Sequence, residues 1–252
     1  MTKYYWGGSN WSPDNVFPSG GKLYGIRQGF GSAVTTGVGL FSAVTAGNGT
    51  GASGNAEITN ITDGNWMAWY TGTNNTFGRA GWWSYATGNS STMRKFNPTF
   101  TTRFRLFQAN TGGQGILYIG FVNQSAQPAA GTSMLNTYLD GKIGVLFGFR
   151  STDTTFMIMS NNAQATSTYT TAGTPNSSAF DTNAHTLTIQ ITDNPAQINW
   201  WYDGTQMTSI TNTTNNVPPS TTLIYPIMIL EAQSATALYL VERWSQMYMD
   251  AI

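Results

Sequence analysis

The sequence contains no cysteine and only one histidine among its 252 residues. Without cysteine the chain cannot form disulfides, hold iron–sulfur clusters, build thiolate zinc sites or use a thiolate nucleophile. The single histidine, His185, cannot supply a multi-histidine metal centre. We therefore expect neither a bound metal nor a cofactor.

Charged side chains are also scarce. Asp, Glu, Lys and Arg make up 9% of the chain, and 11 basic residues balance 11 acidic ones to a net charge of zero. An average soluble domain carries roughly 25% charged residues. Because no basic run is present, the sequence lacks the electrostatic footprint of a nucleic-acid-binding protein. Neutrality also leaves little repulsion between copies, which favours self-association.

Long hydrophobic runs are missing as well. The chain has no stretch of about 18 apolar residues, so we expect no transmembrane segment and no membrane insertion. Residues 1–8, MTKYYWGG, lack the apolar segment of a signal peptide, so we also expect no classical secretion signal.

Aromatic residues and glycine are abundant, at 13% aromatics and 28 glycines. Apolar and polar residues alternate in several segments, including residues 143–149, 186–192 and 197–202. This period of two, with β-branched and aromatic residues, indicates strands with one buried face. Asp-Gly pairs supply turns between strands. Only residues 133–139 show helical spacing, which predicts at most one or two helical turns. The pattern favours a sandwich or jelly roll.

Residues 1–54 differ from the rest because Gly-rich pieces separate short apolar segments. We interpret them as an extended N-terminal arm or accessory strands, and residues 55–252 as the sandwich domain. Such an arm can pack on its own sandwich or on a neighbouring subunit. Its aromatic side chains are candidate subunit contacts: Tyr4, Tyr5, Trp6, Trp11 and Phe17.

Part of the chain resembles a known group of β-sandwiches, over residues 100–248. Residues 104–107 (FRLF) followed by 117–123 (LYIGFVN) resemble a strand pair of virion proteins with a concanavalin A-like jelly roll. Residues 184–189 (AHTLTI) resemble the strand that follows. Residues 200–204 (WWYDG) resemble the next hairpin in lectin-like, laminin G-like and glucanase-like sandwiches.

This resemblance implies an all-β, concanavalin A-like jelly-roll sandwich of two antiparallel sheets. The fold is shared by lectins, glycan-binding modules, glycoside hydrolases and surface proteins of viral particles, so membership does not by itself assign a function.

A glycoside hydrolase would need paired carboxylates, about 5 Å apart in retaining enzymes. Enzymes of the resembled group often carry Glu-x-Asp-x-x-Glu on one strand. Here the only glutamates are Glu57, Glu231 and Glu242, and none lies in that pattern. We expect them at the surface or at strand ends, and we expect no enzymatic activity.

The tryptophans suggest a different role, because flat aromatic rings stack on sugars while Asn and Asp bind their hydroxyls. The candidate glycan-binding residues are Trp66, Trp69, Trp82, Trp83, Asp63, Asn65 and Trp201. The same tryptophans also suit a sandwich core or a subunit interface. Alternation along the strand predicts that Trp200 points inward and Trp201 outward.

The aspartates and the histidine are consistent with structural roles. Asp63, Asp140 and Asp203 precede Gly or lie in turn sequences, so we interpret them as turn residues rather than calcium ligands. His185 shares strand parity with apolar neighbours, and we expect a hydrogen-bonded structural histidine near an edge.

The first functional hypothesis is a non-enzymatic structural protein at the surface of a virion: a capsid, decoration, spike or fibre subunit. Its partners would be other copies of itself, other virion proteins and host-surface glycans. The alternative is a stand-alone, lectin-like carbohydrate-binding module. A glycoside hydrolase is the third hypothesis.

Overall fold

The computed structural model describes residues 23–29, 42–49, 54–61, 64–71, 75–83, 92–106, 115–124, 128–129, 132–171, 182–207, 209–211, 216–234 and 236–250. Within these residues the chain forms sixteen β-strands in two antiparallel sheets and one short 3-10 helix, Arg94–Phe96. The predicted all-β, jelly-roll sandwich is confirmed. No helix in this described part is both long and apolar enough to cross a bilayer.

Sheet A has nine strands among the described residues. Along its main path the order is β13 (Thr205–Gln206), β12 (Gln197–Tyr202), β11 (His185–Thr192), β6 (Thr99–Leu106), β16 (Tyr239–Asp250), β4 (Gly64–Tyr70) and β3 (Gly54–Ile61). Off this path, β1 (Leu23–Gly29) pairs with β16 and β14 (Ile210–Thr211) pairs with β12.

Sheet B has seven strands in the same described set. Their order is β10 (Thr168–Thr171), β9 (Met157–Asn162), β8 (Ile143–Phe149), β7 (Gly115–Val122), β15 (Tyr225–Ala232), β5 (Asn75–Trp83) and β2 (Ser42–Gly49). Neighbours such as β7 and β15 are far apart in the chain, so most contacts that stabilise the sheet are long-range.

The main core lies between the two sheets and is rich in aromatic rings. Trp82 packs edge-on against Phe100 with ring centroids 5.7 Å apart, and Phe147 stacks on Phe156 at 4.9 Å. Each of these large side chains removes 150–250 Å² from water, on the order of several kcal/mol of hydrophobic stabilisation per ring. The two layers are therefore held together mainly by aromatic packing.

Two glycines fit positions that other residues would strain. Asp203 and Gly204 both have positive φ, 50° and 79°, as a type I′ hairpin turn requires between β12 and β13. Gly120 on β7 has a φ of 150°, and a Cβ there would lie 2.2 Å from the carbonyl oxygen of Val145. The close approach of β7 and β8 thus depends on that missing side chain.

The segment 1–54 contributes strands to both sheets. β1 pairs with β16 in sheet A, and β2 pairs with β5 in sheet B. These two pieces of the arm therefore belong to the sandwich of their own chain. The candidate subunit contacts Tyr4, Tyr5, Trp6, Trp11 and Phe17 lie outside the described residues.

The short helix expected over residues 133–139 is not formed. Residues 133–135 are irregular, and residues 136–141 form turns, with Asp140 N donating to the carbonyl of Thr137 at 2.9 Å. The apolar residues of this segment instead cover the outer face of sheet B. We call residues 128–129 and 132–142, which connect β7 to β8, the strap.

Candidate functional site

The outer face of sheet A follows from the strict alternation of β11 and β12. Leu187, Ile189 and Ile191 of β11 are buried in the core between the sheets, while the residues between them are half-buried on the opposite side. In β12, Trp200 is buried and Trp201 is half-buried. The predicted inward position of Trp200 and outward position of Trp201 are confirmed.

Strand register aligns the outward side chains into two rows that cross the strands, because partners on adjacent antiparallel strands share a face. The first row contains Gln206 (β13), Trp201 (β12), Thr188 (β11), Thr101 (β6) and Gln246 (β16). The second row contains Asn199 (β12), Gln190 (β11), Thr99 (β6) and Tyr248 (β16). We call these two rows the polar face.

Part of the polar face is held by side-chain hydrogen bonds. Asn199 Oδ1 accepts from Gln197 Nε2 at 2.8 Å and from Ser209 Oγ at 2.7 Å, while Asn199 Nδ2 donates to Gln190 Oε1 at 3.4 Å. These bonds fix the orientation of the Asn199 amide.

At the β16 end of the second row, the side chain of Tyr248 reaches strand β6. Its hydroxyl is hydrogen-bonded by Thr99 and Thr101, both of which are buried. Burial raises the pKa of Tyr248, and the two threonine hydroxyls oppose that shift. Thr101 Oγ1 also lies 3.0 Å from Thr188 Oγ1. This part of the face is thus a packed aromatic and hydroxyl surface.

Other groups on the polar face remain available. Within the described part of the chain, the side chains of Trp201, Gln206 and Gln246 make no hydrogen bond to another residue. Gln206 is exposed, and Trp201 and Gln246 are half-buried. The face therefore offers one indole and two amides to a molecule from outside. Strand β1 continues the first row, because Arg27 pairs with Gln246 in the register of β1 with β16.

A third row borders the first row on the side away from the second row, and it contains an arginine and a tryptophan. Arg103 faces Trp244 on β16 and Thr186 on β11, and its guanidinium lies 6.0 Å above the ring of Trp66. Trp66 is fully buried against Ala68 and Val241. Positive charge and apolar packing thus border the polar face on this side.

Four of the seven predicted glycan-binding residues are in the interior. Trp66, Trp69, Trp82 and Trp83 are at most 3% exposed, so none of their rings can stack on a sugar from solvent. The prediction that these four indoles form a glycan-binding platform is wrong. They are packed in the interior, as the alternative interpretation expected. Asp63 lies outside the described residues, and Asn65 lies on β4.

The Trp82–Trp83 pair shows why alternation alone misled. Trp82 points into the core. Trp83 is the next residue on the strand and therefore points to the outer face of sheet B. However, the strap covers that face, and Trp83 packs edge-on against Tyr138 with ring centroids 6.4 Å apart. The indole of Trp83 donates to the carbonyl of Gln124 at 3.0 Å.

Glu242 is buried between the sheets, which corrects the expected surface or strand-end position. Its Oε2 accepts from the indoles of Trp69 on sheet A, at 2.9 Å, and of Trp82 on sheet B, at 3.0 Å. Its Oε1 bonds with the hydroxyl of Ser245. Burial raises the pKa of Glu242 to about 7, and these three hydrogen bonds oppose the shift. The carboxyl therefore links the two sheets.

Glu231 is also fully buried, in a second and separate place beneath the strap. It pairs with Arg79 at 2.6 Å and accepts from the hydroxyl of Ser133 and the backbone N–H of Met134, each at 2.9 Å. Burial raises the pKa of Glu231, and these hydrogen bonds and the Arg79 charge oppose the shift. Arg79 also donates to the strap carbonyls of Pro128, at 2.6 Å, and of Ala129 and Thr132.

The histidine is structural, as expected. His185 begins β11, its Nδ1 lies 2.7 Å from Asp203 Oδ2, and its ring stacks on Tyr202 at 4.7 Å. Asp203 also accepts from the backbone N–H of Thr186 at 2.8 Å, so the carboxylate ties the β12–β13 turn to the start of β11. In the described ranges, no three His, Asp or Glu residues group as metal ligands.

Comparisons with known proteins identify the fold but no sequence family. No family model matches the chain, and no curated protein matches it. Among solved structures, peanut lectin superposes with a TM-score of 0.52 at 14% identity, covering 92% of this chain and 99% of that one. The carbohydrate recognition domain of Emp47p gives 0.52 at 10% identity, covering 88% and 100%.

A third similar structure is a carbohydrate esterase from the Shiga toxin-encoding bacteriophage phi24B. Its TM-score is 0.51 at 16% identity, and the match covers 86% of this chain and 93% of that one. At these identities the similarity shows the fold, and the chain has the concanavalin A-like lectin fold. Because binding proteins and an enzyme share this fold, the fold alone does not assign an activity to the chain.

Proposed function

We propose that this protein is a non-catalytic carbohydrate-binding protein that holds glycans on the polar face of sheet A. The observation that carries the proposal is the alignment of Gln206, Trp201 and Gln246 in one cross-strand row, with no hydrogen-bond partner for these side chains in the described part of the chain. The lectin and the carbohydrate recognition domain among the similar structures give further support.

The chemistry of the face suits a sugar. An indole offers a flat apolar surface to the C–H groups of a pyranose, while neighbouring amides donate to and accept from its hydroxyls. Ligand sites commonly combine aromatic surface with a few placed polar groups. The fixed Asn199 amide reduces the ordering cost on binding, since its hydrogen bonds already hold it.

The absence of catalysis is part of the proposal. Glu242 lies between the sheets and Glu231 lies under the strap, and both are 0% exposed. A glycosidase needs two carboxyl groups on either side of a bound glycosidic bond. These two carboxyls instead accept hydrogen bonds from two indoles, an arginine, two serine hydroxyls and one backbone N–H, so both have structural roles.

A glycan array with the purified protein tests the proposal, followed by calorimetric titration of the best ligand. Trp201→Ala should weaken binding at least about tenfold, as expected for a central aromatic contact. The matched control is Leu223→Ala, which removes a side chain that is 43% exposed and precedes β15 of sheet B. Equal affinities for the two variants, or an array without signal, would contradict the proposal.

A second candidate is a structural subunit of a viral particle, in which the polar face would lie against another subunit. The zero net charge of the chain favours it, because copies repel one another little. Light scattering during size-exclusion chromatography separates the two. A stable oligomer that Trp201→Ala dissociates supports the subunit role, and a monomer at high concentration argues against it.

A further inference from the structure

We infer that the sugar bound at Trp201 is an N-acetylated hexose, whose acetamido carbonyl accepts hydrogen bonds from the amides beside the indole. This inference rests on the proposed function and names the class of sugar. It follows from the way in which the hydrogen bonds of the polar face orient these amides, and from the donors that they leave unused.

The accessible part of the polar face lies on strands β11 to β13. Gln206 is exposed, and Trp201, Asn199 and Gln190 are half-buried. On the neighbouring strand β6, the two threonines that continue the rows are buried. A ligand that stacks on Trp201 therefore finds its polar contacts in the immediate surroundings of this indole.

A chain of hydrogen bonds sets the direction of the amides beside Trp201. Asn199 Oδ1 accepts from Gln197 Nε2 at 2.8 Å and from Ser209 Oγ at 2.7 Å, so both of its lone pairs are used. The Nδ2 of Asn199 therefore faces Gln190 and donates to its Oε1 at 3.4 Å. This bond directs the Nε2 of Gln190 away from Asn199.

The network leaves mainly donors beside the indole. Gln190 Nε2 keeps both of its hydrogens and Asn199 Nδ2 keeps one, and the indole N–H of Trp201 makes no hydrogen bond within the described residues. Asn199 and Trp201 are two residues apart on one face of β12, so their Cα atoms lie about 7 Å apart. A pyranose stacked on the indole thus brings its substituents within reach of these donors.

A carbonyl oxygen suits this set of donors better than a hydroxyl does. It has two lone pairs and no hydrogen, so it accepts from two N–H groups and needs no acceptor in return. A hydroxyl in the same place brings a hydrogen toward amide nitrogens, which cannot accept it. The acetamido group of a sugar has such a carbonyl, and its methyl group adds apolar contact with the indole.

A carboxylate also accepts without donating, but the described strands β11 to β13 contain no arginine or lysine to pair with it. Arg103 and Arg27 lie on β6 and β1, two and four strands from β12. Arg94 is paired with Asp193 at 3.3 Å. Burying an anion without a cation is costly, so the donors favour the neutral acetamido group over a uronic acid.

Titration calorimetry with matched methyl glycosides tests the inference. The pairs are N-acetylglucosamine with glucose and N-acetylgalactosamine with galactose, and glucuronic acid supplies the carboxylate. We expect the N-acetylated member of at least one pair to bind about tenfold more tightly than its parent, the value of one to two hydrogen bonds. The glucuronic acid glycoside should bind more weakly than that N-acetylated sugar.

The variant Gln190→Met sharpens the test, because it removes the two unused hydrogens without adding charge. It should lower the affinity for the N-acetylated sugar about fivefold and leave the affinity for its parent nearly unchanged, so the ratio of the two affinities falls. Gln190→Glu keeps an acceptor for Asn199 Nδ2 and should lower the same ratio. Gln164→Met replaces an exposed glutamine in the turn after β9 of sheet B, and as the matched control it should leave the ratio unchanged.

The outcomes separate the two levels. Equal or weaker affinity for the N-acetylated sugar in both pairs, tighter binding of the glucuronic acid glycoside, or an unchanged ratio in Gln190→Met overturns the inferred class of sugar. Binding of array glycans but of none of the glycosides also overturns it. Carbohydrate binding still stands in these cases if Trp201→Ala weakens binding of the best array ligand. Absence of binding for all glycosides and on the glycan array overturns the proposed function itself.

Discussion

The outer faces of the two sheets differ in whether their polar side chains are buried and hydrogen-bonded within the protein. On sheet B, the strap covers the face, and Arg79 and Glu231 are 0% exposed beneath it. On sheet A, Thr99 and Thr101 of the polar face are buried, whereas Trp201 and Gln246 are half-buried and their side chains make no hydrogen bond to another residue in the described part of the chain. Polar groups under a cover must be paired internally, whereas those on an open face can bind something else.

The difference has its origin in the outward residues of the strands. Those of sheet B are large and apolar, such as Tyr118, Ile227 and Ile229. They form one buried cluster with Met134 and Leu139 of the strap. Those of the polar face are mostly Thr, Gln and Asn, with Trp201 and Tyr248 as its two aromatic members. The same alternation thus yields a second core on one side and a largely polar surface on the other.

The largest expected effect comes from breaking the covered ion pair. Arg79→Met leaves the Glu231 carboxylate buried without its cation and removes the donors to three strap carbonyls. We expect a loss of about 3–5 kcal/mol in the free energy of unfolding, measured by urea denaturation.

The double variant Arg79→Met with Glu231→Leu is the control for that experiment. It removes both charges together, so it should recover part of the loss. A single variant that costs less than about 1 kcal/mol would mean that the pair does not hold the strap.

The next effect concerns Glu242 between the sheets. Its pKa rises from 4.5 when unfolded to about 7 when folded, so the folded state binds this proton more tightly. The resulting stability, about 3 kcal/mol, is complete below pH 4.5 and is lost as the pH rises to about 7. Glu242→Gln should remove this dependence and be more stable than the wild type above pH 7.

The measurement is the free energy of unfolding of both proteins from pH 4 to pH 8. All other titrating groups are shared, so the difference between the two curves reports Glu242. A difference that stays constant across this range would show that the carboxyl keeps its ordinary pKa.

A smaller effect is expected where the strap is fixed by one neutral hydrogen bond. The hydroxyl of Tyr118 donates to the carbonyl of Leu135 at 2.9 Å. Tyr118→Phe should cost about 1 kcal/mol in the free energy of unfolding and increase hydrogen exchange of the strap amides. Unchanged exchange in the strap would contradict a fixing role for this bond.

The smallest effect on stability is expected for a substitution on the polar face. Gln246→Ala removes a side chain that makes no hydrogen bond within the described residues. Its free energy of unfolding should stay within about 0.5 kcal/mol of the wild type. A larger loss, measured by the same urea denaturation, would mean that the face is part of the folded core.

Much of the fold could be predicted from the sequence, because alternation and turn residues are local signals. The strands at residues 143–149, 185–192 and 197–202, the Asp203-Gly204 turn and the outward position of Trp201 follow from them. The concanavalin A-like fold could also be recognised from the hairpin motifs.

The candidate site was less predictable, because it depends on which faces are covered. Alternation places Trp83 outward, but only the strap, which is distant in sequence, shows that its ring is buried. Gln206 joins Trp201 in the local β12–β13 hairpin, but Gln246 joins the same row only through the register of β16 with β6, two segments that are distant in sequence. Glu242 has two indole partners more than 150 residues away, a pairing that no local pattern indicates.

The most direct test of carbohydrate binding on the polar face is a crystal structure of the protein with the best ligand from the glycan array. One sugar ring should stack on Trp201, with its hydroxyls within hydrogen-bond distance of neighbouring side chains of the polar face. A ligand bound beneath the strap of sheet B, or a polar face buried against a second copy in solution as well as in the crystal, would contradict it.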